Sequence, residues 1–276
     1  MESRGLRIAL RVWVGVVLAF LFIPIILIVL YAFNSSNIES WPISSFTLHW
    51  FSVAWHDPDV RKSLLLSIRV GLISTVIAIV LGSAVAYAVH KFKFFGREGI
   101  SFLLVLPLAL PGIITGIALN SLFAFTGTLL GTLTIVIGHA TFCIVVVYNN
   151  LIARFRRVPG SLAEASMDLG ARGWQTLRLV TLPMVATALI SGALLAFALS
   201  FDEVIVTVFT AGAQNTLPLW IFGAIRLGQQ LPEVNAVVTF VIALTIIPVI
   251  IAARVAGAGA ISRSARNVPA ASPGSR

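Results

Sequence analysis

Long runs of apolar residues, separated by short polar connections, dominate the pattern of this chain. Each run has about 20 residues or more, the length that a helix needs to cross a hydrocarbon core of about 30 Å. The pattern therefore predicts an all-α polytopic membrane protein with six transmembrane helices. We place these spans near residues 12–33, 64–90, 99–125, 131–150, 184–211 and 234–256.

Composition agrees with this pattern, since 58% of the 276 residues are hydrophobic and only 11% are charged. A soluble domain of this length needs far more charge on its surface. The first apolar run is longer than the core of a signal peptide and no small-residue cleavage site follows it, so we interpret it as an uncleaved span. We predict a transmembrane domain over 1–261 and a disordered tail over 262–276, which is rich in Ser, Ala, Pro and Arg.

The net charge of +9 indicates orientation in the membrane rather than nucleic-acid binding. Fifteen of the nineteen Lys and Arg residues lie in the N-terminus, the 91–97 connection, the 151–183 loop and the tail. Basic residues accumulate on the cytoplasmic side of membrane proteins. We therefore predict that both termini and the 151–183 loop are cytoplasmic.

The 151–183 loop is the longest cytoplasmic connection, and its pattern predicts two short helices outside the membrane. Ser161 and Glu164 have the spacing of a capping box at the start of the first helix. Gly170 stands where a left-handed residue would end that helix. A turn at 171–173 precedes a second short helix with Trp174 on its apolar side. Such a hairpin suits a groove on a partner protein, although a hairpin that only closes the loop has the same pattern.

The same loop resembles the EAA loop of ABC-importer permeases. Glu164-Ala165-Ser166 is followed at the family spacing by Gly170 and then by Val180-Thr181-Leu182-Pro183. Ser166 replaces the second alanine of the family motif, a small-for-small change. Further segments resemble the spermidine/putrescine permease subfamily, namely Tyr31–Ser36, Gly138–Cys143, Ser200–Val204 and Leu217–Leu219.

The resemblance implies a type I ABC-importer permease in a bacterial inner membrane. It implies a second, homologous permease subunit, two ABC ATPase subunits and an external solute-binding protein, in addition to membrane lipid. In that family the EAA loop docks into the ATPase, so Glu164, Ala165, Ser166, Gly170 and Ala171 are the expected coupling residues. The chain has no phosphate-binding G-x-x-x-x-G-K-[ST] loop. We expect it to bind no cofactor and to be no enzyme, with ATP and Mg on the partner ATPase.

Asp202 and Glu203 are the only acidic residues within the six predicted spans. An acid at the centre of a bilayer costs on the order of 2.5–3.5 kcal/mol, so its default interpretation is functional. Adjacent helical positions point in different directions. We hypothesise that one acid attracts a cationic substrate in the pathway while the other meets a polar group nearby. The alternative is that both are structural and pair with Arg69, Asn120 or the partner permease.

The third span contains Pro107, Pro111, Gly112 and Gly116, so we predict that it is bent or locally unwound. The bend either lines the pathway or serves packing alone. His139 lies within the fourth span, where a buried, hydrogen-bonded histidine is more common than a metal ligand. Cys143 is the only cysteine, which excludes a disulfide within the chain.

Polyamines are the substrates that the resemblance favours, but other functions share the same pattern. The same machine could carry an aminophosphonate, an opine-like compound or ferric ion. A secondary transporter would have internal repeats and acids in several broken helices, and the sequence shows one acidic cluster and no clear repeat. A membrane enzyme would need a nucleophile with a base, or metal-ligand spacing, neither of which is evident.

Overall fold

The computed structural model describes residues 4–228 and 231–245, and throughout them the secondary structure is helical apart from one isolated bridge between Asn34 and Phe46. The prediction of an all-α protein is confirmed. The helices are α1 (Arg4–Ala32), α2 (His49–His56), α3 (Pro58–Lys91), α4 (Arg97–Ala109), α5 (Gly112–Phe125), α6 (Thr132–Phe155), α7 (Ser161–Asp168), α8 (Gly173–Thr176), α9 (Leu182–Asp202), α10 (Ile205–Thr210), α11 (Leu217–Leu227) and α12 (Leu231–Thr245).

Among the described residues, four helical stretches are long and apolar enough to cross a membrane, and a fifth crossing results if α4 and α5 form one bent span. These two helices meet at an angle of 104°, which confirms the predicted bend of the third span. Pro111 precedes α5 directly, and a proline cannot continue the hydrogen bonding of a preceding helix. The predicted sixth span continues past residue 245, and the predicted disordered tail lies wholly beyond it, so both extend outside the described residues.

The described residues divide into two compact units, one over 58–226 and the other over 4–57 together with the described residues after 226. In the first of these, α6 is the central helix and packs on α3 and α9. Small residues allow close packing, because a side chain at Gly82 of α3 would meet the Ile144 carbonyl oxygen of α6 at 2.9 Å. The core of this unit includes Phe142, Tyr148 and Leu151.

The other unit contains α1, α2 and α12. Its aromatic side chains pack together, with the Phe51 ring 4.9 Å from that of Phe33 and 5.4 Å from that of Phe240. The indole Nε1 of Trp50 donates a hydrogen bond of 2.8 Å to the Asn34 carbonyl. The segment between α1 and α3 thus contains a short helix, and Trp50 attaches that helix to the chain following α1.

Candidate functional site

The first helix of the 151–183 loop, α7, begins without the predicted capping box. Gly160 is the N-cap residue, and Ser161 already lies in the first turn, with no side-chain bond to the helix end. The Gly160 carbonyl accepts from the amide groups of Ala163 and Glu164 at 3.1 and 3.3 Å. The expected cap at Ser161 is therefore wrong by one residue, because the Pro159-Gly160 turn itself starts the helix.

The end of α7 is the predicted left-handed glycine. Gly170 has φ +89°, a conformation that side-chain-bearing residues rarely adopt. Its amide donates to the Met167 carbonyl at 2.9 Å, and the Ala171 amide donates to the Ser166 carbonyl at 3.1 Å. These two bonds satisfy carbonyl groups at the end of the helix and reverse the chain. Gly170 therefore determines the direction in which the loop turns.

The second helix of the loop is continuous with the fifth span, which differs from our expectation of a separate short helix. Residues Gly173–Asp202 form one helical stretch, and a π-helical turn lies at Leu177–Thr181. The Leu182 amide donates to the Leu177 carbonyl, five residues back. In a regular α-helix, the Pro183 ring would clash with the carbonyl four residues earlier, and a wider π turn relieves that clash. The second half of the loop and α9 are thus parts of the same helical stretch.

Several large apolar side chains of the loop are exposed although the loop lies outside the predicted spans. Leu169 is 90% exposed and Trp174 is 68% exposed, and Leu162 and Met167 are also exposed. Inside the loop, the hydroxyl groups of Ser166 and Thr176 lie 3.1 Å apart and connect α7 with α8. Exposed apolar side chains on a rigid hairpin are typical of a protein interaction surface. Glu164, Ala165 and Gly170 share that exposure, whereas Ser166 and Ala171 are half-buried.

The predicted fifth span contains a second feature, a break between α9 and α10 at the two acidic residues. Asp202 is the last residue of α9, and Glu203 has extended backbone with ψ 114°. The Glu203 carboxylate Oε1 accepts the Val206 amide at 2.9 Å and so caps the first turn of α10. The span predicted as one helix over 184–211 therefore consists of two, and Glu203 stabilises the start of the second.

Asp202 differs from Glu203 because its side chain is exposed. Neither acid pairs with Arg69 or Asn120 in the described part of the chain. The Asn120 amide instead donates to the Phe209 carbonyl at 2.7 Å, near the end of α10. The two adjacent acids therefore have different environments in the structure. Glu203 is used within the chain, and Asp202 is accessible at the corner.

Glycines in α5 and α6 allow α10 to approach both helices. A side chain at Gly116 would meet Phe209 at 2.5 Å, and one at Gly138 would meet Val206 at 3.0 Å. Gly116 was one of the residues on which the predicted bend of the third span depended. The bent span therefore packs against the broken one, and the two irregular segments lie side by side.

His139 faces the same break from α6 and is 1% exposed. Its ring nitrogens lie 2.8 Å from the hydroxyl groups of Ser200 and Thr207. The prediction of a buried, hydrogen-bonded histidine is confirmed, but the sequence did not indicate that its partners lie on opposite sides of a helix break. No group of three or more potential metal-ligating side chains occurs among the described residues.

A family model described as "Binding-protein-dependent transport system inner membrane component" matches residues 74–259, a range that includes both the loop and the break. The chain belongs to this family. It is a permease subunit of an ABC importer and a multi-pass membrane protein.

Curated relatives are similar over most of their length. The putrescine transport system permease protein PotI of Escherichia coli K12 is 34% identical over 81% of this chain and 82% of its own. The spermidine/putrescine transport system permease protein PotC of Haemophilus influenzae is 32% identical over 86% of this chain and 91% of its own. These proteins are named as transport permeases, not as enzymes.

Solved structures show the same fold at lower identity. A bacterial ABC transporter involved in the import of the acidic polysaccharide alginate matches with a TM-score of 0.67 and 21% identity, over 93% of this chain and 98% of that one. The MetNI methionine ABC transporter in an inward-facing conformation matches with a TM-score of 0.61 and 18% identity, over 75% and 97%. The predicted type I permease fold is confirmed.

Proposed function

We propose that this permease forms the translocation pathway for polyamines such as putrescine and spermidine. The exposed Asp202 carboxylate at the break in α9–α10 carries this proposal. A polyamine is a flexible chain with several ammonium groups, and a carboxylate at membrane depth attracts such a cation strongly because the surroundings screen charge poorly. The names of the relatives point to the same substrate class.

The assembly that we propose contains a second, homologous permease, two ATPase subunits that bind ATP and Mg, and an external binding protein. Both termini and the 151–183 loop face the cytoplasm, in accordance with the basic residues of the loop. The exposed apolar surface around Leu169 and Trp174 docks on the ATPase. Closure of the ATPase dimer moves this loop, and the continuous helix from Gly173 to Asp202 transmits the movement to the break.

Uptake of labelled putrescine and spermidine by the reconstituted complex, with its binding protein, tests the substrate assignment. We expect ATP-dependent uptake that saturates with the loaded binding protein. Asp202→Asn should lower the uptake of the cations, because it removes the charge and keeps the shape of the side chain. Glu203→Gln is the matched control, since its amide oxygen can still accept the Val206 amide. Normal uptake by Asp202→Asn would refute the role of this carboxylate.

A further inference from the structure

The buried imidazole of His139 is the feature that the proposed function does not use. It projects from α6 towards the break and contacts one hydroxyl group on each side of it. Ser200 belongs to α9 and Thr207 to α10, and both hydroxyl oxygens lie 2.8 Å from a ring nitrogen. Ser200 and Thr207 are buried as well. The three side chains therefore join three helices at the point where the fifth span is interrupted.

The directions of these hydrogen bonds follow from the partners. The Thr207 hydroxyl donates to the Glu203 carbonyl at 2.6 Å, so its single proton is already used. It must accept towards His139, which places a proton on Nε2. A neutral imidazole then accepts at Nδ1 from the Ser200 hydroxyl. One continuous chain of donors results, from Ser200 through His139 and Thr207 to the backbone of Glu203.

The rest of α10 is held by polar side chains of the same unit. The Thr134 hydroxyl donates to the Thr210 carbonyl at 2.7 Å, and Asn120 donates to that of Phe209. These bonds fix the far end of α10, whereas the His139 chain joins α9 and α10 through side-chain hydrogen bonds on both sides of the break. Water is scarce at this depth, so each backbone group released by the break needs a partner inside the protein.

We propose that His139 is a positioning residue, whose hydrogen bonds to Ser200 and Thr207 fix the angle between α9 and α10 and thereby the position of Asp202. The chain ends on the Glu203 carbonyl, one residue after Asp202. A change at His139 would therefore alter the placement of the carboxylate without touching it. This inference rests on the proposed function only in assigning a substrate to Asp202.

The position of the corner can be measured without transport. In the assembled complex, Asp202→Cys is introduced into a Cys143→Ser background, because a serine hydroxyl can still donate to the Ala196 carbonyl as the thiol does. The rate of modification by a water-soluble thiol reagent is then compared with and without His139→Leu. We expect this rate to change by about three- to tenfold, the scale of a lost hydrogen bond.

Two further variants separate positioning from general stability. The side-chain amide of glutamine has a carbonyl oxygen that can accept and an NH2 group that can donate, as the two nitrogens of the imidazole do. The labelling rate of His139→Gln should therefore be close to that of the protein with His139. Thr141→Val is the matched control on α6, because the Thr141 hydroxyl donates to the Gly138 carbonyl of its own helix, at 2.6 Å, rather than to a neighbouring helix of the described structure. It should leave the labelling rate unchanged. If His139→Leu does not assemble, Ser200→Ala and Thr207→Val remove the same bonds one at a time.

Uptake by the reconstituted complex then tests the consequence for substrate. We expect His139→Leu to raise the half-saturating concentration about three- to tenfold with Asp202 present, and to add nothing further to Asp202→Asn. An unchanged labelling rate in His139→Leu and in both single variants would overturn the inference, whatever transport does. A changed labelling rate with normal polyamine uptake would support the positioning role and contradict the assignment of Asp202 to the cation path.

Discussion

The 151–183 loop and the break between α9 and α10 lie at opposite ends of α9, and they differ in how their side chains are satisfied. The loop leaves apolar side chains such as Leu169 and Trp174 exposed. At the break, the polar groups of His139, Thr207 and Glu203 are paired within the chain. Outside the membrane, water can replace a missing polar partner, whereas inside it the protein must supply one. In the assembly that we propose, a partner therefore covers the apolar side chains of the loop, whereas these polar groups at the break are already paired within the chain.

Gly170→Pro should have the largest effect. Its φ of +89° is closed to proline, whose ring fixes φ near −65°. The end of α7 would then reorganise, and we expect substrate-stimulated ATP hydrolysis and uptake to be lost. Gly170→Ala should have an intermediate effect, since a left-handed residue with a side chain costs about 1–2 kcal/mol.

Gly160→Ala is the matched control for this series. Gly160 is also in the loop, but it has φ −62° and open space around its Cα. The Gly160→Ala variant should show normal substrate-stimulated ATP hydrolysis and normal uptake. Unchanged substrate-stimulated ATP hydrolysis in Gly170→Pro would contradict the proposal that the loop docks on the ATPase.

Trp174→Ser should lower the affinity for the ATPase by about thirtyfold, because a buried interface tryptophan often contributes 2 kcal/mol or more to binding. Co-purification of the ATPase with the permease should fall accordingly. The side chain is 68% exposed in this chain, so the thermal stability of the isolated permease should not change. Trp41→Ser is the control, since Trp41 is 74% exposed and lies between α1 and α2, far along the chain from the 151–183 loop. Equal losses in the two variants would point to a general defect and against a docking surface on the loop.

The sequence predicted the loop better than the break, and the reason is physical. The left-handed turn at Gly170 follows from one residue type at one position. The start of α7 was misplaced by one residue, because Ser161 and Gly160 can both begin a helix and only the backbone of the Pro159-Gly160 turn decides. The continuity of the second helix with α9 depends on the π turn before Pro183, for which the sequence has no simple signal.

Hydropathy did not predict the break between α9 and α10. The run over 184–211 is apolar almost throughout, so its length predicts one span. The interruption depends on contacts between residues far apart in the chain, such as His139 with Ser200 and Asn120 with Phe209. The two acids indicated the place but not which of them is used internally. By contrast, the bend of the third span could be predicted from the proline and glycine residues within that span.

Glu203→Leu should have a moderate effect that distinguishes the break from the loop. It removes the acceptor of the Val206 amide, and the loss of an N-terminal cap costs about 0.5–2 kcal/mol. We expect the thermal unfolding midpoint of the purified complex to fall by a few degrees. Glu203→Gln, which keeps an acceptor, should behave like the unaltered protein. Equal midpoints for the leucine and glutamine variants would show that the cap contributes nothing.

Ser166→Ala should have the smallest effect, although it restores the second alanine of the family motif. The lost hydroxyl lies 3.1 Å from that of Thr176, and a neutral hydrogen bond contributes about 0.5–1.5 kcal/mol. Because this loop lies outside the predicted spans, water can take over much of that role, and uptake should stay close to normal. The same substitution at the break, Ser200→Ala, leaves the buried Nδ1 of His139 without its donor and should lower the thermal stability more. Thermal unfolding of the two alanine variants, measured side by side, compares the two regions directly. A larger loss from Ser166→Ala than from Ser200→Ala would contradict the expected contrast between a loop that water can reach and a break whose polar groups are paired within the chain.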